Sequence, residues 1–200
     1  MRYCIDTNIL FTFQKGIDLG KNPGEVMEKL YKSCKEGRVD VFIPQKIQEE
    51  ISDMLQGEYQ AEWQKLQSVL VMKTPAIYSH SISAKLMYEF VNDYRRRSYE
   101  GLKIAEEILV NALRNPLPSG LSKIEFEKSL QPHKETLRNR FRNATRTGAI
   151  DSTADLDLIM LSLEEDAILV SADEGVVVWG RKFGVKETDL SVFGKSINEV

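Results

Sequence analysis

The sequence predicts an α/β protein with a mostly parallel central sheet flanked by helices, and a two-helix hairpin inserted within it. Three observations carry that prediction. Short apolar runs, Tyr3–Ile5 and Val39–Ile43 early and Ala167–Ser171 late, alternate with stretches of helical periodicity. Runs that are apolar on both faces read as buried parallel strands, because helices must cover both sides of a parallel sheet. In the middle the alternation stops: Ser83 to about Asn115 holds no Pro and a single Gly, Gly101.

Taken in order, Tyr3–Ile5 forms a first short strand. Asn22-Pro23-Gly24 precedes an amphipathic helix over about Glu25–Glu36, with Val26, Leu30, Tyr31 and Cys34 on one side and Gly37 as its stop. Val39–Ile43 is a second strand closed by Pro44. A helix from about Lys46 to Leu55 follows, with Ile47, Ile51, Met54 and Leu55 at helical spacing, and another amphipathic stretch covers about Glu58–Leu70. The uninterrupted run Ser83–Asn115 is a long helix ended by Asn115-Pro116-Leu117-Pro118-Ser119-Gly120. A second helix runs from about Ser122 towards Arg146, interrupted or restarted at Pro132. Two long helices joined by a Pro/Gly turn make an αα-hairpin. Residues 147–200 return to the alternation: a helix over about Thr153–Glu164, the strand Ala167–Ser171, a helix over Gly175–Phe183, and an edge strand near Gly184-Val185-Lys186. The core is therefore expected in 1–80 and 147–200, with 81–146 as the insertion. A two-helix hairpin cannot bury all its apolar surface alone, so a partner chain is expected on it.

Composition narrows the class. With 42% apolar and 28% charged residues, the chain can bury a core, and its apolar runs are too short to span a bilayer. No charged segment followed by an apolar one opens it, so a cytoplasmic protein with no membrane association is expected. Cys4 and Cys34, in a strand and a helix, read as small buried residues rather than a disulfide or metal pair. His80 and His133 lack a second ligand at zinc spacing. The net charge of −3 argues against nucleic acid, but the distribution argues for it. From His133 to Arg146, Lys134, Arg138, Arg140, Arg142 and Arg146 face the single acid Glu135; from Thr147 to Gly180 there is no Lys or Arg and there are eight acids. A cationic arm beside an acidic segment suits a polyanion gripped in one place and cut in another. Arg138, Arg142 and Arg146 recur every four residues on one helical face, with Arg140 opposite, and guanidinium forks fit phosphates. A solvated helix surface is the plainer reading of the same run. Arg95, Arg96 and Arg97 point in three directions, and Phe141 stacks a base or packs.

The acids carry the chemistry. Asp6 ends the first apolar run and Asp173 the last, while Asp151, Asp155 and Asp157 open an apolar helix. Ligands of parallel sheets bind beyond the carboxyl ends of the strands, so these acids converge at one edge. Carboxylates crowded together need a proton or a divalent cation at neutral pH. That is the composition of a magnesium-dependent phosphodiester-cleaving centre. Each acid also has a plainer reading as a helix N-cap or a charge complementing the helix dipole. Asp151 and Asp155 share a helical face, whereas Asp157 lies about 200° round from Asp155. Glu50, with Glu49 beside it, is a possible further ligand or part of a solvated face.

Asp6-Thr-Asn8 closing the first strand, Glu49-Glu-Ile51 after the second, the Asp-led helix and the strand ending Ser171-Ala-Asp173 resemble the PIN nuclease domain. Asp151-Ser-Thr-Ala-Asp155-Leu-Asp157, with Leu169-Val-Ser-Ala-Asp173-Glu-Gly-Val-Val-Val-Trp179, resembles HARP, the minimal protein-only ribonuclease P of prokaryotes. Members of that family carry a helical hairpin inserted in a PIN-like core. The resemblance spans nearly the whole chain and is specific in its last fifty residues. It implies metal-binding catalytic aspartates at Asp6, Asp151, Asp155, Asp157 and Asp173; the inclusion of Asp157 rests on the resemblance. It also implies Mg²⁺, for which Mn²⁺ can substitute, removal of the 5′ leader from precursor tRNA without an RNA subunit, a hairpin that drives homo-oligomer assembly, and tRNA contacts along its basic second helix. The alternatives are a toxin-like PIN ribonuclease, usually shorter and without the insertion, and a non-catalytic RNA-binding or assembly partner. A haloacid-dehalogenase-type phosphatase needs a second Asp where this chain has Asn8.

Overall fold

The computed structural model describes residues 1–13, 17–115 and 117–198. The chain divides into two compact units, Met1–Ser81 with Gly148–Val200, and Ile82–Thr147.

The first unit is built on a four-stranded sheet in the order β3-β2-β1-β4. Its strands are β1 (Arg2–Ile5), β2 (Asp40–Ile43), β3 (Val71–Met72) and β4 (Ile168–Val170), and all neighbours are parallel. Tyr3 stands beside Val41 on one flank and Ile168 on the other. Successive side chains of a strand point to opposite faces, and β1 shows where the layers lie. The Tyr3 ring meets Phe193 of α8 (Leu190–Asn198) edge-on at 4.9 Å. Cys4, next in line, directs its thiol to the Leu158 carbonyl of α6 (Thr153–Glu164) at 3.7 Å. Helices therefore cover both faces, as an all-parallel sheet requires.

The Tyr3 face packs on α1 (Pro23–Lys35), α2 (Gln45–Leu55) and α3 (Gln60–Gln67), where Ile5, Val41, Ile43, Leu30, Ile51 and Trp63 share one core. On the other face α6 and α7 (Glu174–Phe183) close over β1 and β4, and Gly180 lets α7 approach so nearly that a Cβ there would stand 2.6 Å from the Leu169 side chain. Burial of the Cys4 thiol pushes its pKa up to about 12, so it behaves as a small apolar group rather than a reactive one.

The second unit pairs α4 (Ala84–Arg114) with α5 (Lys123–Arg146). Ser83 caps α4, and Ser122 with Glu125 forms a capping box on α5. Of the predicted turn, Pro116 lies outside the described residues. Contrary to the expected break, α5 runs unbroken through Pro132. Both Pro132 and Lys128 are exposed, so water can take the carbonyl that the missing N–H leaves.

Two further expectations are corrected. The predicted edge strand at Gly184–Lys186 reduces to one isolated bridge, Leu169 to Glu187. Its extended pairing is limited to Leu169 N–H donating to the Lys186 carbonyl and Thr188 N–H to that of Leu169. β4 is therefore one edge of the sheet, and the other is the unpredicted β3, whose two exposed residues carry no apolar alternation. Asp151 does not sit on the helix it was expected to open: Ser152 is the cap, and Asp151 precedes it.

Candidate active site

β1 and β4 are neighbours although far apart in sequence, while β2 lies on the other side of β1. The strand order thus reverses at β1, and in such sheets ligands bind beyond the carboxyl ends of the strands at the point of reversal, here between β1 and β4. Asp6 and Asp173 follow those two ends. The Asp6 N–H continues the ladder by donating to the Val170 carbonyl at 3.1 Å. The side chain is only 6% exposed. It makes no capping bond to the 3-10 turn Thr7–Phe11 that follows, so the plain cap reading does not account for it.

Instead, Asp6 Oδ2 accepts from the Ser171 hydroxyl at 2.5 Å and from the Asn8 amide at 2.8 Å. Asn8 Oδ1 in turn accepts from Ala172 N–H, and Ser171 Oγ accepts from Asp173 N–H. Two short polar side chains thus lace the end of β1 to the end of β4. Asp173 caps α7, its Oδ1 accepting from Gly175 and Val176 N–H. Asp155 is the reciprocal partner in the Ser152 capping box, giving one oxygen to Ser152 N–H. Each cap occupies one carboxylate oxygen. The second oxygens of Asp155 and Asp173 carry no hydrogen bond among the described residues. Asp151 stands exposed just before the box, and Gly175 sets its approach to α7. A Cβ on Gly175 would lie 2.1 Å from the Ala149 carbonyl oxygen, so only glycine lets the two segments meet.

The charges are mutually felt. Burial, and then the carboxylates of Asp155 and Asp173, push Asp6 up to about 6, against the Ser171 hydroxyl and the nearby Thr7 amide, which favour the anion. Partial burial raises Asp155 as well, with Asp151 and Asp173 adding to it and the Ser152 bonds opposing. Among the described residues no Lys or Arg is ion-paired with Asp6, Asp155 or Asp173. The crowded acids thus have the hard-oxygen donor set that suits Mg²⁺, Mn²⁺ or Ca²⁺ and lack an internal counter-charge. No three described His, Cys, Asp or Glu side chains close on a single metal-ligating point.

Asp157 takes no part in the hydrogen bonds that lace Asp6 to Asp173. It is 8% exposed and its Oδ2 pairs with Lys46 Nζ of α2 at 2.7 Å, consistent with its position round the helix from Asp155. Glu50 lies at the margin, where its Oε2 accepts from Thr7 Oγ at 3.0 Å. Glu49 is exposed and accepts from Gln45. Sequence reading missed the roles of Ser171 and Asn8, whose bonds span 165 and 164 positions and leave no local signal.

Within the hairpin unit, Arg138, Arg142 and Arg146 line one groove with Leu137, Phe141 and Ala105. Arg140 points elsewhere and pairs with Glu107 at 2.6 Å. Phe141 packs over Gly101, where a Cβ would come within 2.7 Å of its ring. Arg97 is mostly buried, bonded to Asp93 and the Thr147 carbonyl. Leu102, Leu109, Leu113 and Ile124 remain between 56% and 80% exposed. No helix among the described residues is long and apolar enough to cross a membrane.

A profile of the PINc domain ribonuclease matches residues 2–200. The RNA-free ribonuclease P of Thermococcus kodakarensis is 32% identical over 96% of this chain and 92% of its own length. That of Pyrococcus furiosus is 31% identical, covering 100% of this chain and 94% of the relative. For Methanocaldococcus jannaschii the values are 30%, 99% and 91%. With a strand-end acid site on a parallel sheet and likeness along the full chain, this protein belongs to the RNA-free ribonuclease P family of PINc-domain ribonucleases.

Proposed function

We propose that the protein is an RNA-free ribonuclease P, a divalent-metal-dependent endoribonuclease that removes the 5′ leader of precursor tRNA. The observation that carries the chemistry is a buried strand-end carboxylate, Asp6, crowded by Asp155 and Asp173, with no cation paired to any of the three among the described residues. Asp6, Asp151, Asp155 and Asp173 would hold Mg²⁺. A bound Mg²⁺ supplies a water of lowered pKa and neutralises charge at the scissile phosphate.

The protein's own part is positional. Ser171 and Asn8 fix the orientation of Asp6, and the two capping networks fix Asp155 and Asp173. Each of the latter keeps an oxygen clear of its cap. In-line attack leaves a 5′ phosphate on the mature tRNA and a 3′ hydroxyl on the leader. Asp157, paired with Lys46, is left out of this ligand set.

The basic groove of α5 is the proposed tRNA grip, with Arg138, Arg142 and Arg146 directed at phosphates. Recognition without an RNA subunit rests on shape, since A-form helices hide base edges in a deep, narrow groove. The exposed leucines and isoleucine of the hairpin support assembly of identical subunits through this unit.

The test is cleavage of a 5′-labelled precursor tRNA by purified protein with Mg²⁺, beside an Asp151→Asn variant and an EDTA control. One cut at the mature 5′ end, lost in both controls, is expected. Binding without any cut would favour a non-catalytic RNA-binding module. Cuts scattered through unstructured RNA would favour a general PIN endoribonuclease.

A further inference from the structure

A second recess lies on the same edge of the sheet and has no part in the chemistry above. It is a cleft of about 440 Å³ lined by Gln45, Lys46 and Glu49 of α2, the segment Thr74–Tyr78, and Asp157. Its two walls each follow a parallel strand: α2 begins directly after β2, and Thr74–Tyr78 follows β3. The cleft therefore opens at the carboxyl ends of β2 and β3. Neighbouring strands lie about 4.8 Å apart, which puts those ends roughly one and two strand spacings from β1 and Asp6. Glu50, one turn beyond Lys46, is bonded to Thr7 beside Asp6, so the helix that walls the cleft also touches the acidic edge.

The chemistry of its lining is that of a nucleotide site. Lys46 is half exposed, yet its Nζ is fixed by the buried carboxylate of Asp157. An ammonium has three donors, so two remain for a phosphate. The Gln45 amide donates to Glu49 Oε1 at 3.2 Å, which leaves its second N–H and the other Glu49 oxygen as a donor and an acceptor for a base edge. Tyr78 is 98% exposed and Ile77 55% exposed, giving an aromatic face and an aliphatic one with nothing packed over them. This wall is held rather than loose. Ala76 N–H and the His80 ring both bond Glu164 Oε1, and Lys73 pairs with Glu165, so the last turn of α6 grips the segment at three points.

We infer that this cleft binds the unpaired leader nucleotide immediately 5′ of the scissile bond, Lys46 taking its phosphate and Tyr78 stacking its base. The inference rests on the proposed ribonuclease P reading. Of the two nucleotides flanking the cut, the one on the mature side is base-paired in the acceptor stem and cannot enter a cleft without unpairing. The leader nucleotide is single-stranded, and unpaired bases are what aromatic side chains capture in RNA. Lys46 thereby supplies the positive charge that Thr147–Gly180 lacks.

The experiment compares wild type with Tyr78→Ala on precursor tRNA carrying either a normal or an abasic nucleotide at that leader position, measuring single-turnover kcat/KM. The exposed Tyr78 makes its removal harmless to folding. The abasic substrate should lower wild-type kcat/KM about ten-fold, and Tyr78→Ala should lose about as much on the normal substrate with no further loss on the abasic one. Penalties that multiply, or a Tyr78→Ala variant equal to wild type, would overturn the stack. Independently, a 4-thiouridine at that position is photocrosslinked in EDTA and the attached peptide is mapped. Attachment within Thr74–Tyr78 is expected. Attachment elsewhere beside normal cleavage sinks the cleft and spares the nuclease reading. Attachment there without cleavage in Mg²⁺ keeps the cleft and sinks that reading.

Discussion

Asp6→Asn isolates the electrostatic cost of building this edge. Asp6 rises from 3.8 to about 6 on folding. At about 1.36 kcal/mol per unit, the ionised form destabilises the metal-free fold by about 3 kcal/mol. The sign follows from the direction. A carboxyl whose folded pKa exceeds its unfolded value is protonated in both states below about pH 4, where it costs nothing. The cost grows as pH rises through the interval and is complete above pH 6 to 7. Asparagine preserves the size of the group and an acceptor for the Ser171 hydroxyl and the Asn8 amide, but carries no charge. In EDTA, therefore, wild type and Asp6→Asn should unfold alike near pH 4. By pH 7.5 the variant should be the more stable by about 3 kcal/mol, or about 6–12 °C in apparent Tm for a chain of this size. Added Mg²⁺ should raise the wild type, through binding to the folded state alone, and leave the variant nearly unmoved. Thermal melts across pH with and without Mg²⁺ read this directly. If the two pH profiles run parallel in EDTA, the charge is not buried against its neighbours, and the argument for a metal at this edge loses its footing.

Three other perturbations address the parts around it. Ser171→Ala removes the hydroxyl that orients Asp6 with little change of shape; loss of such a supporting bond should weaken Mg²⁺ activation about 10–100-fold in a metal titration of cleavage. Gly175→Ala places a methyl 2.1 Å from the Ala149 carbonyl oxygen, so the fold should lose about 1–3 kcal/mol in urea melts, and activity should fall because Asp151 lies two residues beyond the displaced carbonyl. Arg138→Ala and Arg142→Ala should each lower the slope of log K against log salt for precursor tRNA by about 0.7–0.9, with unchanged metal dependence of cleavage.

Much of this was legible in the sequence, and the exceptions have physical causes. The helix Thr153–Glu164 was bounded correctly because a cap and a continuous apolar run frame it. The 3-10 turn after Asp6 was missed because Thr7–Phe11 is too short to show a period. α8 was missed because it is only nine residues long and Gly194, a poor helix former, stands inside it. At the site, Asp6, Asp155 and Asp173 were readable from their places at element ends. Ser171 and Asn8 were not, since their role exists only once β1 and β4 are neighbours. The basic run was read as a stripe with Arg140 opposite, and the fold gives Arg140 to Glu107. Which arginine of Arg95–Arg97 would be buried depended on Asp93 and the Thr147 carbonyl.

The plainer and the catalytic readings of these acids are not rivals, because one carboxylate serves both through different oxygens. Asp173 caps α7 with Oδ1 alone. The capping bonds counter the repulsion that would otherwise spread the acids, so the edge keeps its shape in the absence of a cation. This separates two substitutions that are usually treated as equivalent. Asp173→Asn keeps an acceptor for Gly175 and Val176 N–H and deletes the charge. Asp173→Ala deletes both. Asparagine caps as well as aspartate, whereas alanine costs about 0.5–2 kcal/mol. Cleavage should therefore be lost in both variants, while Asp173→Ala alone should lose about 1 kcal/mol of stability in melts at pH 7. Equal stability of the two would show that the cap does not hold this acid in place. Full cleavage by Asp173→Asn would show that its charge is not needed, leaving the cap as its whole role.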